Sequence, residues 1–135
     1  MTAARYMLDT NVVSDMIRNP AGRAARRLAE VGEESVCISI IVAAELRYGS
    51  AKKGSAKLLE KIENFFFQVP ILPLEVPADA EYGGIRAELE AAGKPIGYND
   101  LLIAAHAYAL GATIVTANTA EFSRIRGLTV ENWLA

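Results

Sequence analysis

Short apolar runs alternate with segments of helical periodicity along this chain. The runs at residues 6–8, 36–39 and 113–116 are rich in apolar and β-branched residues, as expected of strands buried on both faces of a sheet. The segments between them repeat their apolar residues at the spacing of a helix. This alternation predicts an α/β domain with a mainly parallel central sheet, and a last short strand is predicted near residues 128–130.

Glycine and capping residues predict where the helices end and begin. The helix through residues 42–46 is expected to end near Gly49. Asn99 or Asp100 is expected to cap a long apolar helix, which Gly111 then ends.

The composition is typical of one compact domain. The chain has 135 residues, of which 52% are hydrophobic and 22% charged, and no linker or repeat divides it. Residues 1–135 are therefore expected to form a single domain. The formal net charge of −2 argues against a protein that coats nucleic acid through bulk positive charge, although it permits a localised nucleic-acid site.

The sequence predicts a soluble protein that acts in the cytoplasm. Cys37 is the single cysteine and lies in an apolar run, which excludes an internal disulfide and fits a reducing compartment. The N-terminal residues do not resemble a secretory signal. The apolar segment at residues 101–115 is shorter than the roughly 20 residues that a membrane-spanning helix needs, so no membrane association is predicted.

Acidic residues follow the predicted strands, at the edge of a parallel sheet where ligands usually bind. Asp9 directly follows the first strand, Glu45 lies in the helix after the second, and Glu121 follows the third. Asp100 stands at the start of the long apolar helix. Two carboxylates about 4 Å apart repel each other by about 4 kcal/mol at an effective dielectric constant of roughly 20. Several such groups at one edge therefore need a cation or protons.

The donor atoms at this edge suit Mg²⁺, and Mn²⁺ can take its place. Thr10, Thr116 and Asn118 add oxygen atoms to the carboxylates, whereas no cysteine or histidine converges on them as Zn²⁺ would require. His106 projects away from Asp100 on the same helix and is expected to be a packed or surface histidine. A carboxylate-held Mg²⁺ suits phosphodiester hydrolysis, which needs no nucleophilic side chain.

Five segments of the sequence resemble, in order, the sequence blocks of PIN-domain ribonucleases. Any one segment is a weak match, but five in the same order at similar intervals are specific, and they span nearly the whole chain. The pattern is most similar to that of the bacterial VapC toxins of toxin–antitoxin pairs. The segments are Leu8-Asp9-Thr10-Asn11 and residues 44–49, 85–89, 94–106 and 115–122.

The resemblance implies a PIN-like, three-layer α/β/α domain. It implies a Mg²⁺-dependent endoribonuclease that cuts structured RNA such as tRNA or rRNA, acts as a homodimer and is inhibited by a small antitoxin whose tail covers the site. Asp9 and Asp100 match the principal metal ligands of the family, and Glu45 completes the acidic set. Thr10 and Thr116 match small hydroxyl residues that support the ligands or the attacking water.

The resemblance leaves the fourth acidic position open. Many relatives carry Asp where this chain has Asn118, so Glu121, acting through water, is the candidate for that position. Asn11 lies within the first matching segment and is a candidate for a supporting contact. Arg86 lies in another segment and is expected to orient a carboxylate, such as Glu45, or a phosphate.

A plainer interpretation competes with the nuclease. Asp9 and Asp100 can serve as helix caps, and Glu45 can pair with an arginine such as Arg86. The chain would then be a non-catalytic, PIN-like module that binds a protein or an RNA. RNA cleavage that depends on a divalent cation distinguishes the two interpretations.

Several surface features remain without an assigned role. Tyr48 can stack on a base, but packing is the expected explanation, and one of three successive phenylalanines at residues 65–67 is expected to be exposed at a dimer or antitoxin contact. Gly83 and Gly84 suggest close helix packing. Two basic rows can bind RNA phosphates or simply be solvated: Arg23, Arg26 and Arg27, and Lys53, Lys57 and Lys61.

Overall fold

The computed structural model describes residues 4–135, which form five strands and seven α-helices among the described residues. A short 3₁₀ helix, Glu33–Ser35, precedes the second strand. The strands are β1 (Tyr6–Leu8), β2 (Val36–Ser39), β3 (Ile71–Leu72), β4 (Thr113–Val115) and β5 (Val130–Glu131). The helices are α1 (Thr10–Arg18), α2 (Arg23–Val31), α3 (Ile40–Lys53), α4 (Ala56–Gln68), α5 (Ala78–Ala91), α6 (Tyr98–Leu110) and α7 (Thr119–Phe122).

The strands form one parallel sheet in the order β3-β2-β1-β4-β5. Met7 at the centre lies opposite Cys37 on one side and Ile114 on the other, and all three are completely buried. Helices cover the sheet, so its central strands carry apolar residues on both faces. The predicted α/β fold with a parallel central sheet is confirmed, although the last strand lies slightly beyond the predicted residues 128–130.

His106 links α6 to the end of β2 inside the core. Its Nδ1 lies 2.8 Å from the Oγ of Ser39, and both side chains are buried. Burial lowers the pKa of His106, against the effect of a hydrogen bond to the carbonyl of Pro73. The predicted packed histidine is confirmed, and the contact fixes α6 against the strand that leads into α3.

Two predicted helix boundaries are wrong. α3 continues through Gly49 and ends at Gly54, which has a positive φ of 64°. α6 begins one residue before Asn99, with Gly97 at the N-cap position and no side-chain cap. Asp100 therefore lies inside the first turn of α6, and its carboxylate is not used as a cap.

Two further expectations about packing and charge are wrong. A Cβ atom added at Gly83 or Gly84 would meet no atom within 4 Å, so close helix packing does not explain these glycines. The predicted lysine row is broken at Gly54: Lys53 ends α3, whereas the other two lysines lie on α4. The arginine row at residues 23–27 does lie on one helix, α2. Within residues 4–135, no helix is long and apolar enough to cross a membrane.

Candidate active site

The candidate site lies where the chain connections diverge, beyond the carboxyl ends of β1 and β4. β1 is flanked by β2 on one side and by β4 on the other, and such a reversal of strand order is the place where parallel α/β sheets usually bind ligands. Asp9 follows β1 directly and is the N-cap of α1. Its backbone N–H donates to the carbonyl of Val115 at 2.8 Å, which joins it to the end of β4.

Neutral donors hold the carboxylate of Asp9 in place. The backbone N–H of Thr10 donates to Oδ1 at 2.8 Å, whereas the Thr116 hydroxyl and the Asn11 amide donate to Oδ2 at 2.8 and 3.2 Å. Burial raises the pKa of Asp9 and the negative charge of Glu45 raises it further, while the hydrogen bonds from Thr116 and Thr10 oppose this shift. Asp9 is thus a buried carboxylate that is oriented without being neutralised.

The Thr116 hydroxyl connects the loop after β4 to the start of α1. It is completely buried, donates to Asp9, and accepts from the backbone N–H of Asn118 at 2.9 Å. The side-chain oxygen of Asn11 accepts from the backbone N–H of Ala117 at 3.0 Å. These hydrogen bonds connect the loop after β4 to the start of α1. The position of Asp9 is therefore fixed by residues that lie more than a hundred positions further along the chain.

Glu45 reaches the same region from α3. Its Oε1 accepts from the Thr10 hydroxyl at 2.5 Å, and its Oε2 accepts from the Asn99 side-chain amide at 3.3 Å. The expected pairing of Glu45 with Arg86 is wrong, because the Arg86 guanidinium donates to Glu90 at 2.9 Å. Neighbours four residues apart on one helix meet more readily than residues on different helices.

The pKa of Asp100 reflects the charges of the other three acidic residues of the cluster. Burial and the charges of Asp9, Glu121 and Glu45 together raise its pKa to about 6. No salt bridge found among residues 4–135 includes any of these four carboxylates. The structure therefore brings the four predicted acidic residues near one another and leaves their negative charge without a basic partner in the described part of the chain.

The cluster is not preassembled as a metal cage. Within residues 4–135, no three His, Cys, Asp or Glu side chains stand together in an arrangement that could hold a metal ion. Both oxygens of Glu45 are engaged by Thr10 and Asn99, and mutual repulsion keeps like charges apart. The donor chemistry nevertheless fits a hard cation, because every nearby side-chain ligand atom is a carboxylate, hydroxyl or amide oxygen.

The residues predicted to support the carboxylates contact the site in different ways. The hydroxyls of Thr10 and Thr116 both donate to carboxylates, which is one of the two roles expected of them. Asn118 contacts the network through its backbone N–H. Asn99 was missed as a site residue, since its position before a helical run had suggested a cap; its direct neighbour Asp100 was the available signal.

Exposed aromatic rings lie near the acidic cluster and at a distant helix end. Tyr48, three residues after Glu45, is 67% exposed, so the expectation that it is packed is wrong. Tyr98, two residues before Asp100, is 65% exposed and was not singled out from the sequence. Phe67, at the end of α4, is 88% exposed, which confirms that one of the three successive phenylalanines faces solvent.

Comparison with known proteins identifies the family. A model of the PIN domain matches residues 6–128. Ribonuclease VapC2 of Rickettsia felis is 41% identical over 130 residues, covering 95% of this chain and 97% of the relative. The chain belongs to the VapC family of PIN-domain ribonucleases. A tRNA(fMet)-specific endonuclease VapC of Shigella flexneri is 38% identical over 130 residues, covering 96% of this chain and 98% of the relative.

Solved structures of VapC-family complexes have the same fold. VapBC from Salmonella typhimurium bound to DNA contains a chain with a TM-score of 0.88 and 36% identity, covering 96% of this chain and 98% of that one. VapBC2 from Rickettsia felis, bound to a promoter DNA fragment, gives a TM-score of 0.86 and 41% identity, with coverage of 95% and 98%. The predicted PIN-like α/β/α fold and the predicted family of toxin ribonucleases are confirmed.

Proposed function

We propose that this chain is a Mg²⁺-dependent endoribonuclease that hydrolyses phosphodiester bonds in structured RNA and acts as the toxin of a toxin–antitoxin pair. One observation supports this most strongly. Burial and the charges of Asp9, Glu121 and Glu45, which lie on separate segments, raise the pKa of Asp100 to about 6, and no basic side chain is paired to any of the four carboxylates among the described residues. Uncompensated charge of this kind is suited to a divalent cation.

Asp9, Glu45, Asp100 and Glu121 are the residues that we expect to hold the cation. A bound Mg²⁺, or Mn²⁺ in its place, would lower the pKa of water and offset the negative charge that develops on the phosphoryl oxygens. The resemblance to PIN-domain ribonucleases implies an acidic residue in many relatives at the position where this chain has Asn118. We therefore assign the fourth acidic position to Glu121, whose charge acts on Asp100.

The remaining residues of the site orient these ligands. Thr116 fixes Asp9 at the end of β4, and Thr10 and Asn99 fix Glu45 from two different helices. Hydrolysis requires water to attack phosphorus in line with the departing oxygen, which leaves with a proton. Precise placement of the carboxylates is therefore the main contribution of the chain's own side chains.

Initiator tRNA is the first substrate to test. The Shigella flexneri relative is named as an endonuclease specific for tRNA(fMet), and we extend that substrate to this chain, with rRNA as the alternative structured RNA. The VapBC complexes among the structural neighbours support a cognate antitoxin as partner. We further propose that the toxin is a homodimer and that the antitoxin tail covers the acidic cluster.

Cation-dependent cleavage tests the proposed function directly. Purified protein is incubated with labelled initiator tRNA and total RNA in Mg²⁺, in Mn²⁺ and in EDTA. We expect cleavage with either cation and none in EDTA, and we expect Asp9→Asn and Asp100→Asn each to reduce the rate at least about 100-fold. Asp79→Asn is the matched control, because Asp79 also lies in the first turn of a helix but is exposed and is not one of the four acidic residues of the cluster.

Cleavage that survives chelation, or that both site substitutions leave unchanged, contradicts the metal mechanism. RNA binding without any cleavage would instead favour the non-catalytic module. Co-purification with the product of an adjoining small reading frame, followed by the same cleavage assay, tests inhibition by an antitoxin. Light scattering of the purified chain tests the homodimer.

A further inference from the structure

Tyr98 presents an exposed aromatic ring at the margin of the acidic cluster. It is the first residue of α6 and is 65% exposed, whereas the middle of the helix, at residues 103–107, is buried. Its neighbour Asn99 donates to Glu45, and Asp100 follows directly. Aromatic side chains are usually buried, because burial of their apolar surface is favourable. An exposed ring beside the candidate site is therefore a candidate for ligand binding.

Arg86 holds this ring against one side. The guanidinium carbon of Arg86 lies 4.7 Å from the centre of the Tyr98 ring, a distance typical of a cation–π contact. Its Nη2 donates to the Tyr98 hydroxyl at 3.5 Å. Arg86 is fixed in turn by Glu90 at 2.9 Å and by the Tyr82 hydroxyl at 3.0 Å. The ring is thus oriented before any ligand binds, although most of it remains open to solvent.

The same two side chains border a cavity of about 190 Å³, which they line together with Ile96, Leu101 and Glu90. The cavity combines apolar side chains, an aromatic ring and a guanidinium that is ion-paired with Glu90. Single-stranded RNA is recognised by this combination, since bases stack on aromatic rings and on arginine planes while their phosphates are attracted by positive charge. The position of the ring beside the acidic cluster, together with the proposed ribonuclease function, favours an RNA base over a protein segment as its ligand.

We propose that Tyr98, backed by Arg86, stacks on a nucleobase next to the scissile phosphate and so positions the RNA over the acidic cluster. This inference rests on the proposed ribonuclease function. It assigns to Arg86 a role in substrate binding through Tyr98, in place of the contact with Glu45 that the structure does not contain.

Kinetics with substitutions at Tyr98 test the stacking. Initiator tRNA is cleaved in Mg²⁺ by the unmodified chain and by Tyr98→Ala, Tyr98→Phe and Tyr98→Trp. Loss of one stacked base predicts a rise in KM of about 5- to 100-fold for Tyr98→Ala, with kcat changed much less, whereas Phe and Trp retain most of the affinity. Phe67→Ala is the control, because it removes another exposed aromatic ring, at the end of α4.

A binding measurement that needs no cleavage separates this inference from the proposed function. A single-stranded RNA of about twelve nucleotides carrying 2-aminopurine is titrated in EDTA with Asp9→Asn protein. The fluorescence change on stacking should disappear with Tyr98→Ala and persist with Tyr98→Phe. A rise in KM together with loss of the fluorescence change in Tyr98→Ala supports the stacking role.

The outcomes are distinct for the two claims. If the unmodified chain cleaves RNA but Tyr98→Ala leaves KM and fluorescence unchanged, the stacking role is overturned and the nuclease stands. If no RNA is cleaved but the fluorescence change depends on Tyr98, the nuclease fails and the stacking surface stands. If Tyr98→Ala weakens only the binding of a co-purified antitoxin, the surface serves a protein and the inference is overturned.

Discussion

At the scale of single residues, the site is organised by neutral donors around negative charge. Asp9 is held by Thr116 and by the backbone of Thr10, and Glu45 is held by the Thr10 hydroxyl and by Asn99. Neutral hydrogen bonds orient a carboxylate and lower its pKa only in part, whereas an arginine would neutralise its charge. The arrangement fixes geometry while leaving the charge available to a cation.

Thr116→Val tests the importance of the buried hydroxyl. Valine keeps the shape of threonine but removes the donor to Asp9, so we expect a loss of about 2 kcal/mol in the free energy of unfolding, together with roughly tenfold or greater loss of cleavage. Urea unfolding and the tRNA assay measure the two effects. Thr113→Val, at the start of the same strand, is the control and should change both only slightly; equal effects at the two positions would contradict the role of Thr116.

The substitution Asp100→Asn tests the repulsion between the carboxylates, because its effect on the free energy of unfolding should depend on pH. The folded protein raises the pKa of Asp100 from 3.8 to about 6, so the ionised carboxylate destabilises the cation-free fold. This cost is fully present above about pH 6 and disappears as the pH falls towards 3.8. The variant should therefore be more stable near pH 8, by about 1 kcal/mol after allowance for solvent screening, and the gain should vanish near pH 4.

Urea unfolding in EDTA measures this difference in stability. Asp79→Asn should give no gain at either pH, because Asp79 is exposed and benefits from the N-terminal end of its helix dipole. A gain for Asp100→Asn that is equally large at both pH values would show that the effect does not come from ionisation.

At the scale of elements, the sequence predicted which segments are helices and strands better than where they end. The sequence predicts a helix end near Gly49, yet α3 continues to Lys53, with Gly54 as its C-cap, because a glycine inside a helix costs only about 1 kcal/mol and packing of the helix outweighs it. Likewise Gly97, and not Asn99 or Asp100, is the N-cap of α6. Such boundaries depend on how much of the apolar face of a helix is buried against the rest of the domain. The residues near the boundary alone do not predict that burial.

Substitution by alanine is expected to change the stability of the protein in opposite directions at Gly49, within α3, and at Gly54, its C-cap. At both positions an added Cβ would meet no atom of a neighbouring segment within 4 Å, so steric clashes do not account for a difference between the two substitutions. Gly49→Ala should stabilise the protein by about 0.5–1 kcal/mol, since it lies within the helix. Gly54→Ala should destabilise it by about 1 kcal/mol, because its φ of +64° is unfavourable for alanine. Thermal or urea unfolding gives the sign, and equal signs would contradict the observed end of α3.

At the scale of the whole molecule, the sheet order brings the site together. Strands β1 and β4 are neighbours although they are far apart in sequence, and their adjacent ends place Asp9 beside Thr116. The positions of the acidic residues after strands made this convergence predictable. The partners of Arg86 and the exposure of Tyr48 were not predictable, because they depend on which side chains neighbouring helices present to each other.

Calorimetric titration with Mn²⁺ tests the central claim most directly: the acidic residues at the carboxyl edge of the sheet bind a divalent cation. We expect saturable binding to the unmodified chain and to Asp79→Asn, and loss of that binding in Asp9→Asn and Asp100→Asn. Absence of saturable binding, or equal binding by all four proteins, would contradict the account.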